Sequence, residues 1–106
     1  MTFFRRRKST TVGGRPLARE ELAYLEEFVR TRRGVEGFIE PRTTVTQTTL
    51  LLIAHDGEWT RRRVPSPEAA RQFAHRLAMP IYDIALVGYP QRMRDYNERK
   101  KRDTAL

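Results

Sequence analysis

The chain lacks cysteine and has only one tryptophan and two histidines among its 106 residues. Without cysteine, the protein has no disulfide bonds, thiolate zinc sites or cysteine nucleophiles, and the composition is compatible with a reducing compartment. The two histidines show neither H-x-x-x-H nor H-x-H spacing. The sequence therefore has no metal-ligand pattern, and we expect no metal and no other cofactor.

Long apolar runs are also absent. The longest, residues 50–54, is far shorter than the ~20 residues that a membrane-spanning helix needs. The cations of residues 5–8 are not followed by an apolar segment, so no secretory signal is predicted. We therefore expect a cytoplasmic protein with no membrane partner. A chain of this length is expected to form one domain.

Acidic residues are missing from the N-terminal end. The net charge is +8, of which residues 1–16 hold +5, residues 97–106 hold +2 and residues 17–96 only +1. We interpret residues 1–15 as a flexible basic arm, residues 16–96 as the folded domain and residues 97–106 as a basic tail. Basic ends on a nearly neutral body commonly contact nucleic acid or another anionic surface.

Arginine supplies 18 of the 21 basic residues. Two explanations stay open. Arginine forms bidentate hydrogen bonds to phosphate, so the bias is consistent with selection for binding. A GC-rich genome would produce the same bias, because its codons favour arginine over lysine.

The centre of the sequence, residues 48–64, has the pattern of a β-hairpin. Asp56 and Gly57 favour a two-residue type I′ turn, because both central positions of that turn need a positive φ. The resulting register would pair Ala54 with Trp59, Ile53 with Thr60, Leu52 with Arg61 and Leu50 with Arg63. The first strand, residues 50–54, is apolar on both faces and therefore needs cover on both sides.

Helices are predicted before and after this hairpin. Residues 17–33 carry apolar side chains at helical spacing, with glutamates early and arginines late. Ser66 and Pro67 are typical of a helix start, and Pro80 ends that helix near Ala78. A strand is expected at residues 35–41 and a last helix at residues 91–101. Residues 81–87 fit either a strand or a helix, and their β-branched residues and short length favour a strand.

The order α-β-β-β-α-β-α predicts an α+β domain with an antiparallel sheet covered by helices. The helix that starts at Ser66 should cover one face of the sheet. Either the helix of residues 17–33 or the C-terminal segment should cover the other. The side chains expected to be nearly inaccessible are Leu50, Leu52, Ile53, Phe73 and Leu77.

The order α-β-β-β-α over residues 17–78 is similar to that of the double-stranded-RNA-binding domain. This resemblance implies that the helix after the third strand contacts phosphates through its N-terminus. In this sequence that helix begins Ser66-Pro67-Glu68-Ala69-Ala70, with an acid and without a lysine pair.

A shorter stretch resembles the strand-then-helix passage of plant AP2-type and integrase-arm DNA-binding modules. It comprises Trp59, Arg61, Arg63 and the tetrapeptide at residues 68–71. The resemblance implies that arginines on an exposed three-stranded sheet read the major groove. In the expected register, however, these two arginines would share a face with Leu50 and Leu52, which need burial.

Residues 79–97, MPIYDIALVGYPQRMRDYN, resemble a group of small proteins from GC-rich actinobacteria. We attach no activity to this resemblance. The sequence contains no G-x-G-x-x-G motif that would indicate a dinucleotide-binding enzyme.

Few residues suggest catalysis, and we expect a protein that is not an enzyme. His55 and Glu58 would face each other across the hairpin turn, and we interpret them as a solvent-exposed pair rather than a catalytic dyad. Asp83 is a lone carboxylate at the end of a predicted strand. It is either a functional group with a shifted pKa or a structural carboxylate that bonds to a nearby amide or arginine.

Two non-catalytic functions remain. The first is association with nucleic acid or a ribonucleoprotein through basic residues, for which the candidates are Arg5, Arg6, Arg7, Lys8, Arg15, Arg61, Arg62, Arg63, Lys100 and Lys101. The second is a protein–protein adaptor, for which the candidates are Tyr89, Arg92, Met93 and Tyr96, because aromatic residues, methionine and arginine are enriched at interfaces.

Overall fold

The structure is a computed structural model that describes residues 15–105, except the side chain of Ala105. It is an α+β domain, as predicted. Its elements are α1 (Arg19–Thr31), β1 (Glu36–Glu40), β2 (Thr49–Ile53), β3 (Trp59–Arg63), α2 (Pro67–Arg76), β4 (Ile81–Asp83), α3 (Ile84–Val87) and α4 (Gln91–Ala105).

The four strands form one sheet in the order β3-β2-β1-β4. The first three strands pair antiparallel, as expected, whereas β4 pairs parallel to β1. The sheet is therefore mixed, and the expectation of a wholly antiparallel sheet is corrected. The chain reaches β4 through α2, and a parallel strand requires such a crossover.

The hairpin of β2 and β3 forms, but its register differs by one residue from the prediction. The amide of Gly57 donates to the carbonyl of Ala54 at 3.0 Å, and the amide of Ala54 donates to the carbonyl of Glu58 at 2.7 Å. The loop thus has three residues, with Gly57 at φ +95°. A three-residue loop that ends in a residue with positive φ is a common hairpin connection.

This register exchanges the two faces of β3. Trp59 lies opposite Ile53 instead of Ala54, and Arg61 lies opposite Leu51. Because side chains alternate along a strand, Arg61 shares its face with Leu51 and not with Leu50 or Leu52. The expected conflict between the hairpin arginines and the buried leucines therefore does not arise.

Both faces of β2 are covered. On one face, Leu50 and Leu52 pack with Leu25 of α1 and with Phe73 of α2. On the other face, Leu51 and Ile53 pack with Phe38 of β1, Met93 of α4, Trp59 and Ile84. Of the two alternatives for the second cover, the C-terminal segment is the correct one, because α1 lies on the same face as α2.

The core agrees with the prediction at four of five positions. Leu50, Leu52, Ile53 and Phe73 are fully buried. Leu77 is only half-buried, because α2 ends at Arg76 and Leu77 is already its C-cap residue. The start of α2 is as predicted, with the Ser66 hydroxyl accepting from the amide of Ala69 at 3.1 Å.

The segment predicted as a strand over residues 81–87 is only partly a strand. After three residues of β4, Asp83 accepts a hydrogen bond from the amide of Ala85 at 2.9 Å and caps the single turn α3. The predicted C-terminal helix is also present, and it extends to Ala105. Residues 97–105 of the expected basic tail are thus helical.

Burial predicts a large difference between two leucine substitutions. Leu52→Ala should lower the free energy of unfolding by about 2–5 kcal/mol, because it leaves a cavity at a fully buried position. Leu86→Ala is the matched control, since Leu86 is 84% exposed, and it should change stability by less than about 0.5 kcal/mol. Urea unfolding measures both values, and similar values would contradict the central position of β2.

Substitutions at two glycines with positive φ measure two different effects, which are backbone strain alone at Gly88 and backbone strain plus the docking of α4 at Gly57. A Cβ at Gly57 would lie 2.1 Å from the carbonyl oxygen of Arg92 in α4, whereas a Cβ at Gly88 would meet nothing within 4 Å. Gly88→Ala should therefore cost only the conformational strain, about 1 kcal/mol. Gly57→Ala should cost at least about 2 kcal/mol more, because α4 must move away from the hairpin. Equal losses in thermal or urea unfolding would show that α4 does not rest on the hairpin loop.

Candidate functional site

Arg61, a candidate nucleic-acid contact, forms a bidentate ion pair with Glu40. Its Nε lies 2.7 Å from Glu40 Oε1 and its Nη2 lies 2.8 Å from Glu40 Oε2. The guanidinium group also lies 5.1 Å from the centre of the Trp59 ring. The charge of Arg61 is therefore balanced within the domain.

Arg62 points to the opposite face of β3 and contacts α1. Its guanidinium carbon lies 3.7 Å from the centre of the Tyr24 ring, and its Nε lies 3.2 Å from Glu21 Oε1. The Tyr24 hydroxyl also shares a hydrogen bond of 2.7 Å with the hydroxyl of Thr60. This arginine thus fastens α1 to the sheet.

Glu40 joins three parts of the chain at one carboxylate. Besides Arg61, it accepts hydrogen bonds from the hydroxyls of Thr49 and Tyr89. Burial by itself would raise the pKa of Glu40, but hydrogen bonds from Arg61, Thr49 and Tyr89 outweigh burial and lower this pKa below its ordinary value. The hydrogen bond between Tyr89 and Glu40 also raises the pKa of Tyr89, because the neutral hydroxyl donates to the carboxylate.

Arg63, the third hairpin arginine, lies at the end of the sheet from which the N-terminal segment leaves. It lines a depression together with Arg15, Glu21 and Gln47. An adjoining depression of about 720 Å³ lies between residues 41–48 and 64–67. Arg15 also lines this second depression, together with Arg42. We call the two depressions together the arm-root groove.

The charges of the arm-root groove are mostly uncompensated. Arg15, Arg42 and Arg63 are exposed, and none of them forms an ion pair with another described residue. Glu21, the one acid among the described residues of the groove, is paired with Arg62.

The sequence analysis did not single out Arg42. No pattern could have found it, because the three arginines lie far apart in the sequence.

A second group of cations lies at the end of α4, near the hairpin loop. Arg99 donates to the carbonyl of Asp56 at 2.9 Å, which holds the helix to the loop. Beyond this contact, Lys100, Lys101 and Arg102 are exposed and form no ion pair within residues 15–105. Of the sequence-predicted cations, Lys100 and Lys101 are therefore accessible. Arg5, Arg6, Arg7 and Lys8 lie outside the described residues.

The candidate adaptor residues hold α4 against the sheet. Arg92 donates to the carbonyl of Ala54 at 3.0 Å and to Glu36 at 2.7 Å. Met93 is buried, and Tyr96 lies beside Gly57 of the hairpin loop. Only Tyr89 is substantially exposed, although its hydroxyl bonds to Glu40.

Most of the exposed apolar side chains in this part of the molecule precede the candidate adaptor residues in the sequence. Leu86 and Val87 of α3 are 84% and 56% exposed, and Tyr82 of β4 and Tyr89 are also exposed. Of these four residues the sequence analysis named only Tyr89, because it favoured a strand over residues 81–87. The glycine at position 88 was the available signal, since glycine commonly follows the end of a helix.

The residues considered for catalysis have structural contacts instead. Glu58 bonds to Arg32 at 2.8 Å, and across the hairpin loop it lies opposite Ala54 and not opposite His55 as expected. Asp83 caps α3, as one of its two alternatives proposed. Within residues 15–105 no group of three acidic or histidine side chains is arranged to hold a metal ion.

Neither the family models, nor the curated proteins, nor the solved structures include a match to this chain. No helix in the described part of the chain is long and apolar enough to cross a membrane.

The lowered pKa of Glu40 predicts a pH dependence of stability. A carboxylate whose pKa is lower in the folded state stabilises the protein above its unfolded pKa, and this stabilisation is lost as the pH falls through the folded pKa. The free energy of unfolding should therefore fall between about pH 5 and pH 3, and Glu40→Gln should reduce the contribution of this carboxylate to that fall. Chemical unfolding at a series of pH values measures the effect.

The same substitution should cost about 1–3 kcal/mol at pH 7, because Arg61 loses its charged partner. Glu98→Gln is the matched control: Glu98 is exposed on α4 and forms no ion pair with a described residue. It should change stability by less than about 0.5 kcal/mol. If Glu40→Gln keeps the pH profile of the unsubstituted protein, the Glu40 contacts do not stabilise the fold.

Proposed function

We propose that the protein is not an enzyme and that it associates with nucleic acid, either free or within a ribonucleoprotein. The N-terminal segment and the arm-root groove would make the contact. The observation that carries this proposal is the position of Arg15, Arg42 and Arg63 at the root of that segment, with no ion-pair partners among the described residues.

The sequence adds charge directly before Arg15. Residues 1–14 contain four cations and no acid. In this proposal one polyanion contacts these four cations and the groove arginines together. Binding of this kind gains affinity by releasing counterions from phosphates, so it tolerates different base sequences and weakens steeply with salt.

Two of the arginines that the sequence suggested as nucleic-acid contacts are left out of this proposal. Arg61 and Arg62 are engaged with Glu40 and Glu21, so we assign them a structural part and not a contact with phosphate. The end of α4 offers a second set of exposed cations next to the hairpin loop. That loop and the arm-root groove lie at opposite ends of the β2–β3 pair. A long nucleic acid would be needed to contact both sets.

A protein–protein adaptor is the second candidate function. The exposed apolar patch of Tyr82, Leu86, Val87 and Tyr89 favours it, because side chains of this kind are enriched in protein interfaces. Salt separates the two candidates. Nucleic-acid binding through cations should weaken steeply as salt rises, whereas a contact centred on apolar side chains should not.

The proposed function predicts a loss of salt-dependent binding when the N-terminal cations are removed. The measurement is fluorescence anisotropy of labelled RNA and DNA over a salt series. A variant in which Arg5, Arg6, Arg7 and Lys8 are replaced by glutamine keeps the length of the chain. Its slope of log affinity against log salt should be smaller by about three, since each phosphate contact contributes roughly 0.7–0.9.

The melting temperature is the control in this experiment and should stay close to that of the unsubstituted protein. Two results would contradict the proposal. One is an absence of binding by the full-length protein at low salt. The other is an unchanged slope in the glutamine variant. The first result would favour the adaptor function, with Leu86→Asp as the first substitution to examine in a pull-down. The second would show that the N-terminal cations do not contact the nucleic acid.

A further inference from the structure

We infer that the arm-root groove is a phosphate-binding site that holds the backbone of a nucleic acid strand and does not read its bases. This inference rests on the proposed function and assigns a defined site to it. The shape of the groove, the charges around it and the kinds of side chain that line it all favour a phosphate ligand.

One wall of the groove is a loop that is held in shape by its own hydrogen bonds. The amide of Thr43 donates to the carbonyl of Thr46 at 2.9 Å. The hydroxyl of Thr43 accepts from the amides of Val45 and Thr46, at 3.2 and 3.0 Å. At the base of the groove, the amide of Val64 donates to the carbonyl of Thr48 at 3.0 Å. These contacts form the groove before any ligand binds, which lowers the ordering cost of binding.

The charges favour an anion in the groove. Two of the carboxylates in or next to it are compensated by residues outside it, whereas Glu68, which follows Pro67 at the groove, forms no ion pair with a described residue. Glu21 pairs with Arg62, and Glu40 accepts hydrogen bonds from Arg61, Thr49 and Tyr89. Arg61 and Arg62 of the hairpin thus pair with two of the nearby carboxylates, and the groove arginines stay available to a phosphate.

The lining residues indicate which part of a nucleic acid binds. The described part of the groove contains arginines, threonine hydroxyls and Gln47, all of which can donate hydrogen bonds to phosphate oxygens. It contains no aromatic side chain on which a base could stack. Ser66 and Pro67 place the N-terminus of the ten-residue helix α2 at the same groove, which adds a positive dipole. The expected ligand is therefore a chain of phosphodiesters of any base sequence.

The inference is tested by a double substitution, Arg42→Gln with Arg63→Gln. The matched control is Arg71→Gln with Arg76→Gln, which removes the same charge from exposed positions on α2 outside the groove. With single-stranded RNA and DNA of equal length, the groove variant should bind at least about tenfold more weakly at 50 mM salt. Its salt slope should be smaller by about 1.5, because two phosphate contacts are lost. The control variant should differ from the unsubstituted protein by less than about twofold, since mutating cations away from the ligand removes no phosphate contact.

Two further measurements do not depend on the variants. Oligo-U and oligo-A should bind with affinities within about threefold of each other, and inorganic tripolyphosphate should compete with both. In NMR spectra of the unsubstituted protein, tripolyphosphate should shift the amide signals of residues 41–48 and 63–67. Observing shifts only in α4 would overturn the inference, as would a preference of more than tenfold for one base.

The outcomes separate this inference from the proposed function. If the full-length protein binds nucleic acid but the groove and control variants behave alike, the groove site is wrong and the proposed function stands. If the full-length protein does not bind RNA or DNA at low salt while tripolyphosphate still shifts the groove amides, the site stands as a phosphate site and the proposed function fails.

Discussion

The fold depends on one constraint, which is that β2 has apolar side chains on both of its faces. Leu50 and Leu52 point to one side and Leu51 and Ile53 to the other, and all four are fully buried. Burying an apolar side chain of this size contributes roughly 1.5–3 kcal/mol, so neither face can be left to solvent. Helices α1 and α2 cover the first face, and α4 with Trp59 covers the second. The C-terminal helix is therefore an integral layer of the domain and not an appendage.

This constraint also fixes the chemistry of the surface. Helix α4 covers only part of the second face. The rest of that face carries Glu40 and its polar contacts with Arg61, Thr49 and Tyr89. On the first face, Arg62 joins the sheet to α1. Because the fold uses these arginines internally, Arg63 is the one hairpin arginine without an ion pair among the described residues. It lies in the arm-root groove, and a second group of exposed cations lies in the last turns of α4.

The sequence was sufficient to predict the first three strands, the main helices and four of the five core residues, because these follow from periodicity and capping. It predicted only the start of the fourth strand, which ends at Asp83. It was not sufficient for the hairpin register. Asp56 and Gly57 fit a two-residue turn, but Gly57 fits equally well as the last residue of a three-residue loop. Because the loop has three residues, the strand pairing differs by one residue from the prediction, and each side chain of β3 lies on the face opposite to the expected one. The arm-root groove could not be predicted at all, since Arg15, Arg42 and Arg63 come together only when the sheet is assembled.

The two layers and the shared strand β2 are expected to unfold as one cooperative unit, and the single tryptophan offers a direct test of this. Trp59 packs with Met93 and donates from its indole nitrogen to Asn97 of α4 at 2.8 Å. Its fluorescence therefore reports the docking of α4, while far-UV circular dichroism reports the whole fold. Equilibrium urea unfolding followed by both signals should give coincident transitions. A fluorescence transition at clearly lower urea would show that α4 detaches from a sheet that stays folded, and this would contradict the account.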